Sequence, residues 1–422
     1  MSRLRKVLGI FALGAAGAAR AQILMDPATP GGAQLVRIFE ADQAGKTSDT
    51  GPLKCEVTKM KPTLNFAFRY QTGYRVSLPL KQLPEDNKTL VIAFRVTPDG
   101  AQPIALPADE KTPAQPVRQE AASAGTLKPY YFLQFLRMGK LPAQTRDPKS
   151  RFQGVFDGGF FLGSGGYQVD WILQDGKARA CRASWHIDHH PKDDTIKEFL
   201  QPGVVSSLRI NRLAAIENGP ARTRKVAILL HAAPQFPRKS VLTGFDISML
   251  ISSLTSLLED SPFAAVSVTA FSLQKQRELF HSEKLDRSSF RELNRALDQV
   301  ENATVDWTVL KNPKGQADLL VRLVNRELGA ATPPDAIIVM GPNSWNSIKV
   351  SGGRLEKSTL SPPVFYIRHD LFPAMFPFRD TVEEMTRAAG GKVLTVRGPK
   401  DLAEAMKKIE AQLSARQAAA DN

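Results

Sequence analysis

The chain has 422 residues, 42% of them hydrophobic and 23% charged, with 56 Lys plus Arg against 42 Asp plus Glu and a formal net charge of +14. These proportions exclude a mini-protein, a collagen-like or disordered chain and a multi-span membrane protein, and the length suffices for two or three domains of roughly 100–200 residues. The basic balance draws anionic polymers weakly, but the positive charges are scattered without a dense Lys/Arg run, so a nucleic-acid partner is not expected.

The first segment is predicted to be a signal peptide. Arg3, Arg5 and Lys6 precede an apolar run from Val7 to Ala19, and Ala19-Arg20-Ala21 supplies the small-x-small pattern that places cleavage before Gln22. That run is shorter than the roughly 20 residues of a membrane-spanning helix, so no stable span is expected once it is removed. The expected location is extracytoplasmic, either periplasmic or secreted. In an oxidising compartment the two cysteines, Cys55 and Cys181, are expected to form a disulfide, the alternative being two buried thiols.

Residues 22–50, rich in Gly, Ala, Pro and Thr, read as a linker. From 51 to 218 short apolar runs of strand length alternate with turn residues, among them LNFAFRY, YRVSLPL, LVIAFRV, YQVDWILQD and ARACRASWHI. This pattern predicts an all-β sandwich, interrupted by an Ala/Pro/Gln-rich loop insertion at about 98–127. Asp175-Gly176, between two such runs, marks a hairpin.

After Asn218-Gly219-Pro220 the grammar changes to strand alternating with helix. KVAILLHAA reads as a buried strand, and Ile247, Leu250, Ile251, Leu254, Leu257 and Leu258 form the apolar stripe of a helix. AAVSVTAFS is a second buried strand with QRELFHS as its hairpin partner, and Ser289 with Glu292 suggests a capping box opening the next helix. ADLLVRLVNREL, DAIIVMG, VFYIRH, DTVEEMTRAAGG, KVLTVRG and DLAEAMKKIEAQL continue the alternation. A doubly wound α/β domain with a mainly parallel sheet is the expected class for 222–414, followed by a disordered tail at 415–422.

The order of these elements, carried by KVAILLHAA with its helix, VTAFS with RELFHSEKLDRSSFRELNRALDQV, KGQADLLVRLVN, DAIIVMG and GGKVLTVRGPKDLAEAMKKI, resembles the von Willebrand factor A fold over about Lys225 to Leu413. More narrowly it is similar to the secreted A-domain-related proteins of Acidobacteria. The resemblance implies a metal-ion-dependent adhesion site at the C-terminal strand ends, built from a DxSxS loop, a Thr and a second Asp. In this chain His231, Ala233, Gln235, Gln316 and Gly341 stand where those ligands belong. Without their hydroxyls and carboxylates the site is degenerate, and neither a metal nor another cofactor is expected.

Several side chains at those strand ends are candidates for contact with a partner: His231, Gln235, Gln316, Asp318, Asn343 and Trp345. Asp318 is in position either to pair with His231 or to open a helix, and Trp345 is of a type enriched at binding hot spots. In WHIDHH, His186, Asp188 and His190 share one face of an extended strand while His189 points away, a loose metal set or a solvated strand end. No GxSxG, HExxH, P-loop or dinucleotide fingerprint is present. The expected function is therefore non-enzymatic binding of a protein or cell-envelope component. An envelope-polymer hydrolase and a purely structural scaffold within a larger assembly are the alternatives.

Overall fold

The computed structural model describes residues 22–43, 53–83, 89–101, 127–137, 147, 150–177, 179–191, 200–208, 224–236, 242–259, 261, 263–300, 309, 311–344, 348–356, 358, 361–373 and 379–420. The expected signal segment, most of the expected loop insertion, the expected boundary at 218–220 and Trp345 lie outside them. The chain divides into two compact units, one of residues 1–64 and 69–210, the other of residues 65–68 and 211–422.

The first unit holds two antiparallel sheets. Its strands are β1 (Gln22–Met25), β2 (Glu56–Leu64), β3 (Tyr70–Pro79), β4 (Thr89–Pro98), β5 (Tyr130–Arg137), β6 (Gln153–Leu162), β7 (Gly165–Gln174), β8 (Ala180–His189) and β9 (Val205–Ser207), with one helix, α1 (Pro30–Gln43). The sheet orders are β1-β5-β4-β7-β8 and β2-β3-β6-β9. Alternate residues of both sheets meet in one core, where Tyr74, Phe94, Phe132, Phe160, Tyr167 and Trp171 are almost wholly buried. Phe94 stacks on Phe132 with ring centroids 4.6 Å apart. The Tyr74 hydroxyl finds a buried acceptor in Gln134 Oε1 at 3.0 Å. Opposite it the chain must be glycine, because a Cβ at Gly158 would lie 2.3 Å from that hydroxyl.

Gly-rich residues 22–50 do not form the expected linker, since β1 and α1 lie within them. Gln22 pairs with Gln134 on β5, and its side-chain amide donates to the Gly159 carbonyl at 2.6 Å and accepts from the Gly159 amide at 3.1 Å. Leu35, Val36 and Phe39 of α1 pack on Ala93, Tyr131, Leu133 and Ile172, covering part of the outer face of the five-stranded sheet. A stretch with so few apolar residues is ordered because a sheet face is available to receive them. The disulfide between Cys55 and Cys181 is formed.

The second unit is built on β10 (Arg224–His231), α2 (Gly244–Glu259), β11 (Phe263–Ser272), β12 (Arg277–Ser282), α3 (Arg287–Asp298), α4 (Gly315–Leu328), β13 (Ala336–Pro342), β14 (Val364–His369), α5 (Thr381–Ala388), β15 (Lys392–Val396) and α6 (Pro399–Ala420). Its sheet runs β12-β11-β10-β13-β14-β15, with β12 antiparallel to β11 and the other neighbours parallel. Every residue of β13 is buried. Helix α2 is buried from Met249 to Leu258 on all sides, which demands internal partners for its hydroxyls. Thr255 donates to the Ile251 carbonyl at 2.7 Å and Ser256 to the Phe66 carbonyl at 2.7 Å.

The expected fold class, an all-β sandwich followed by a doubly wound von Willebrand factor A-like domain with a mainly parallel sheet, is corrected by this topology. Across the chain antiparallel pairing predominates, in two wholly antiparallel sheets and one mixed sheet. Short connections decide it, because a tight turn such as Asp175–Arg179, or Leu273–Gln276 with Gln276 at φ 48, can join only antiparallel strands. Two local expectations also shift. Helix α6 continues through Ala420 where a disordered tail is expected, and α3 is capped by Asp286, whose carboxylate accepts from Ser288 and Ser289, instead of by Ser289 with Glu292.

Candidate functional site

The C-terminal ends of β10, β13 and β14 gather a buried polar network. His231, the last residue of β10, is 1% exposed, stacks on Phe271 with centroids 5.3 Å apart and places Nδ1 3.0 Å from the Pro342 carbonyl. The carbonyl can only accept, so Nδ1 carries the proton. Burial pulls the His231 pKa down to about 4, against the smaller raising effect of Pro342, which leaves the ring neutral at pH 7. The Tyr366 hydroxyl lies 3.0 Å from the same Pro342 carbonyl and 3.2 Å from Asp380 Oδ2. Asp380 caps α5 by accepting from the Glu383 amide at 2.6 Å and also accepts from the Ser344 amide at 3.1 Å. Burial raises its pKa even so.

Neighbouring β13 brings a backbone constraint to the same place. Gly341 has φ +152, and a Cβ there would lie 2.6 Å from the His231 carbonyl oxygen and 2.7 Å from its Cβ. The position therefore admits no side chain, and no carboxylate either.

Of the residues chosen from the sequence, His231, Gln235 and Gln316 are buried, at 1%, 4% and 8% exposure, and so present no surface to a partner. The Gln235 amide donates to Asp246 Oδ1 at 3.0 Å, while Gln235 Nε2 and Gln316 Oε1 have no hydrogen-bond partner among the described residues. Asp318 does not pair with His231. It lies half-exposed in the first turn of α4 with Arg354 Nη2 at 2.7 Å. Asn343 is partly buried, and its Nδ2 is 3.5 Å from Asp370 Oδ1. In the WHIDHH stretch His186 is 3.8 Å from Asp99 and His190 is 3.1 Å from Asp188, all exposed, while His189 is buried and lies 4.2 Å from Tyr70. No group of three His, Cys, Asp or Glu among the described residues is placed to hold a metal ion.

What does face solvent at these strand ends is aromatic. Phe236, just beyond β10, and Phe372, just beyond β14, hold their rings 4.1 Å apart at 40% and 43% exposure. Phe245, at the start of α2, is 55% exposed. Beneath them His369 ends β14, 1% exposed, with Nε2 3.1 Å from Ser253 Oγ and the Phe66 ring 5.5 Å away edge-on. Burial alone lowers its pKa to about 3. Both members of this Ser253–His369 pair are sealed from solvent. Beside it Arg397 Nε approaches Asp370 at 4.0 Å, its own side chain two-thirds exposed.

Phe236 and Phe372 were missed because periodicity assigns aromatics to elements, and both stand in loops. A signal was present: each follows a buried strand within a few residues and precedes a proline, in QFP and LFP, where an apolar ring serves no helical or strand stripe.

No family profile matches this chain, and no curated protein does. Two solved structures, both of a glycosyl hydrolase family 2 member from Bacteroides cellulosilyticus, are weakly similar. One has 10% identity and a TM-score of 0.16 over 79% of this chain and 37% of that chain. The other has 10% identity and a TM-score of 0.17 over 82% of this chain and 44% of that chain. The chain thus spans less than half of either, and similarity at this level carries no argument for fold or activity.

Proposed function

We propose that this chain is an extracytoplasmic, non-enzymatic binding protein that engages a protein partner of the cell envelope through the C-terminal strand ends of its six-stranded sheet. The observation that carries the reading is the close, exposed pair Phe236–Phe372, its rings tilted by 30°. Exposed aromatic pairs are costly to leave in water, and buried aromatic anchors are the groups that dominate protein–protein affinity. Backbone anchoring beside the rings supports the reading: the Gln235 amide donates to Asp246 Oδ1 at 3.0 Å and the Asp370 amide to the Val396 carbonyl at 2.8 Å.

The placement outside the cytoplasm rests on the cleavage pattern before Gln22 and is compatible with the Cys55–Cys181 disulfide. No helix among the described residues is long and apolar enough to cross a membrane.

The test is crosslinked co-purification of the tagged chain from its native envelope, with and without EDTA, beside a Phe236→Ser/Phe372→Ser double variant. A partner retained in EDTA and lost with the double variant is the expected result. A partner captured equally by the double variant would refute the proposed surface, and one lost in EDTA would refute metal-independent binding.

A further inference from the structure

The outer face of the five-stranded sheet carries a second site, and its case does not depend on the strand ends. Helix α1 packs on Ala93, Tyr131, Leu133 and Ile172 and so covers one part of this face. Beyond it, the register of three strands sets polar side chains in rows. Arg95 on β4 stands opposite Asp170 on β7, and Asp170 opposite Ser184 on β8. Two residues further along each strand, Thr97 stands opposite Gln168 and Gln168 opposite His186. Residues two apart in a strand share a face, so the second row lies roughly 6.5 Å from the first. Where the first row meets α1, a cavity of about 240 Å³ opens, with Phe39, Arg95, Asp170, Ile172 and Ser184 among its lining residues.

The rows are tied together by hydrogen bonds. Arg95, its side chain 10% exposed, donates to Asp170 Oδ2 from Nε at 3.2 Å and from Nη2 at 2.6 Å. Ser184 donates to Asp170 Oδ1 at 2.8 Å and accepts from Gln168 Nε2 at 2.6 Å. At the far end Asp99 Oδ2 lies 3.8 Å from His186 Nε2 and crosses over Gly166, where a Cβ would stand 2.0 Å from it. These side chains therefore hold their positions before any ligand arrives.

We infer that this face binds a neutral polysaccharide, one ring seated in the cavity and the next units lying along the Thr97–Gln168–His186 row. Hydrogen-bond polarity sets the first limit. Gln168 spends one N–H on Ser184 and keeps its carbonyl and its second N–H, while Ser184 keeps one acceptor position. A ligand that only donates, such as an ammonium, leaves the Gln168 N–H unmet, whereas a hydroxyl both donates and accepts. Charge sets the second limit. Arg95 is spent on Asp170, Arg182 is engaged as well, and the exposed carboxylates of Asp99 and Asp188 repel an anion. Surface character sets the third, because none of the exposed large apolar side chains among the described residues stands on β4, β7 or β8. A protein partner would need such an apolar centre. The cavity is below the roughly 300–1,000 Å³ of pockets for drug-sized ligands and suits a single ring.

The experiment is calorimetric titration of the full chain with the neutral hexamers of glucose, xylose, mannose and galactose, with hexagalacturonate and with spermidine. At least one neutral hexamer binds, at least tenfold more tightly than hexagalacturonate, and spermidine does not compete with it. Binding keeps its strength as salt rises from about 0.05 to about 0.5 M, since no net charge is exchanged. Gln168→Ala and Ser184→Ala each weaken it about fivefold, the loss of a typical hydrogen bond, with unchanged circular dichroism. The Phe236→Ser/Phe372→Ser variant binds the hexamer as the parent does. Absence of binding across the neutral panel, tighter binding of hexagalacturonate, competition by spermidine, or parental affinity in both the Gln168→Ala and Ser184→Ala variants would each overturn the inference. Loss of the hexamer with the phenylalanine double variant would overturn it too, by placing the site at the strand ends.

Discussion

Phe236 and Phe372 are 136 positions apart in sequence, yet their ring centroids stand 4.1 Å apart beyond the C-terminal strand ends of the six-stranded sheet. The pair is made by two strand ends, β10 and β14, that are not neighbours in the sheet, with β13 between them.

Because both rings keep two-fifths of their surface in water, removing one forfeits only part of the burial energy of a phenylalanine. Phe372→Ala is expected to cost about 1 kcal/mol of stability or less, read by urea denaturation, while capture of the envelope partner falls at least tenfold. A stability loss as large as that of a core Phe→Ala, roughly 3–5 kcal/mol, would show that the ring is structural.

The two buried histidines make stability fall with acid. In the unfolded chain each binds a proton near pH 6.5, but in the folded chain only near 4 for His231 and near 3 for His369. The unfolded state thus holds more protons between these values, and stability declines as pH drops from about 6.5 towards 4 and then 3. Denaturation midpoints measured at half-unit steps from pH 7.5 to 4.5 check the slope. A His231→Gln variant is expected to flatten it, and an unchanged slope in that variant would remove His231 from the account.

Position 341 tolerates only glycine. Gly341→Ala meets both a backbone conformation that L side chains rarely adopt and the His231 backbone at 2.6 Å. Expected destabilisation is about 2–4 kcal/mol, checked by thermal melting, whereas Gly398→Ala, with open space around it, changes little.

Cys55 and Cys181 are separated by 126 positions. Closing so long a loop restricts the unfolded chain by up to about 4–5 kcal/mol in the chain-entropy view. Reduction with dithiothreitol, or the Cys55→Ala/Cys181→Ala pair, is expected to lower the denaturation midpoint by a large part of that, with the six-stranded unit retaining its own transition. A midpoint indifferent to reductant would contradict this.

Asp380 anchors three elements at once through the Glu383 and Ser344 amides and the Tyr366 hydroxyl. Asp380→Ala strands those donors in a buried setting and is expected to cost about 2–4 kcal/mol. Asp380→Asn keeps an acceptor and costs less, a ranking that equilibrium unfolding resolves.

The linear sequence determined the elements that depend on near neighbours. Strand runs such as LVIAFRV and DAIIVMG, the apolar stripe from Ile247 to Leu258 and the turn at Asp175-Gly176 all follow from side-chain periodicity and turn chemistry within a few residues. The cysteine pairing was readable too, because only two are present and the compartment signal favours their oxidation. What only the tertiary structure decided was pairing and exposure. Residues 22–43 order because a distant sheet edge and face receive them, and antiparallel pairing predominates because of how short turns return the chain. His231, Gln235 and Gln316 fall beneath the surface, while Phe236 and Phe372 stand above it. Burial and contact are sums over neighbours far apart in the chain, and a local pattern holds no record of which of those neighbours will arrive.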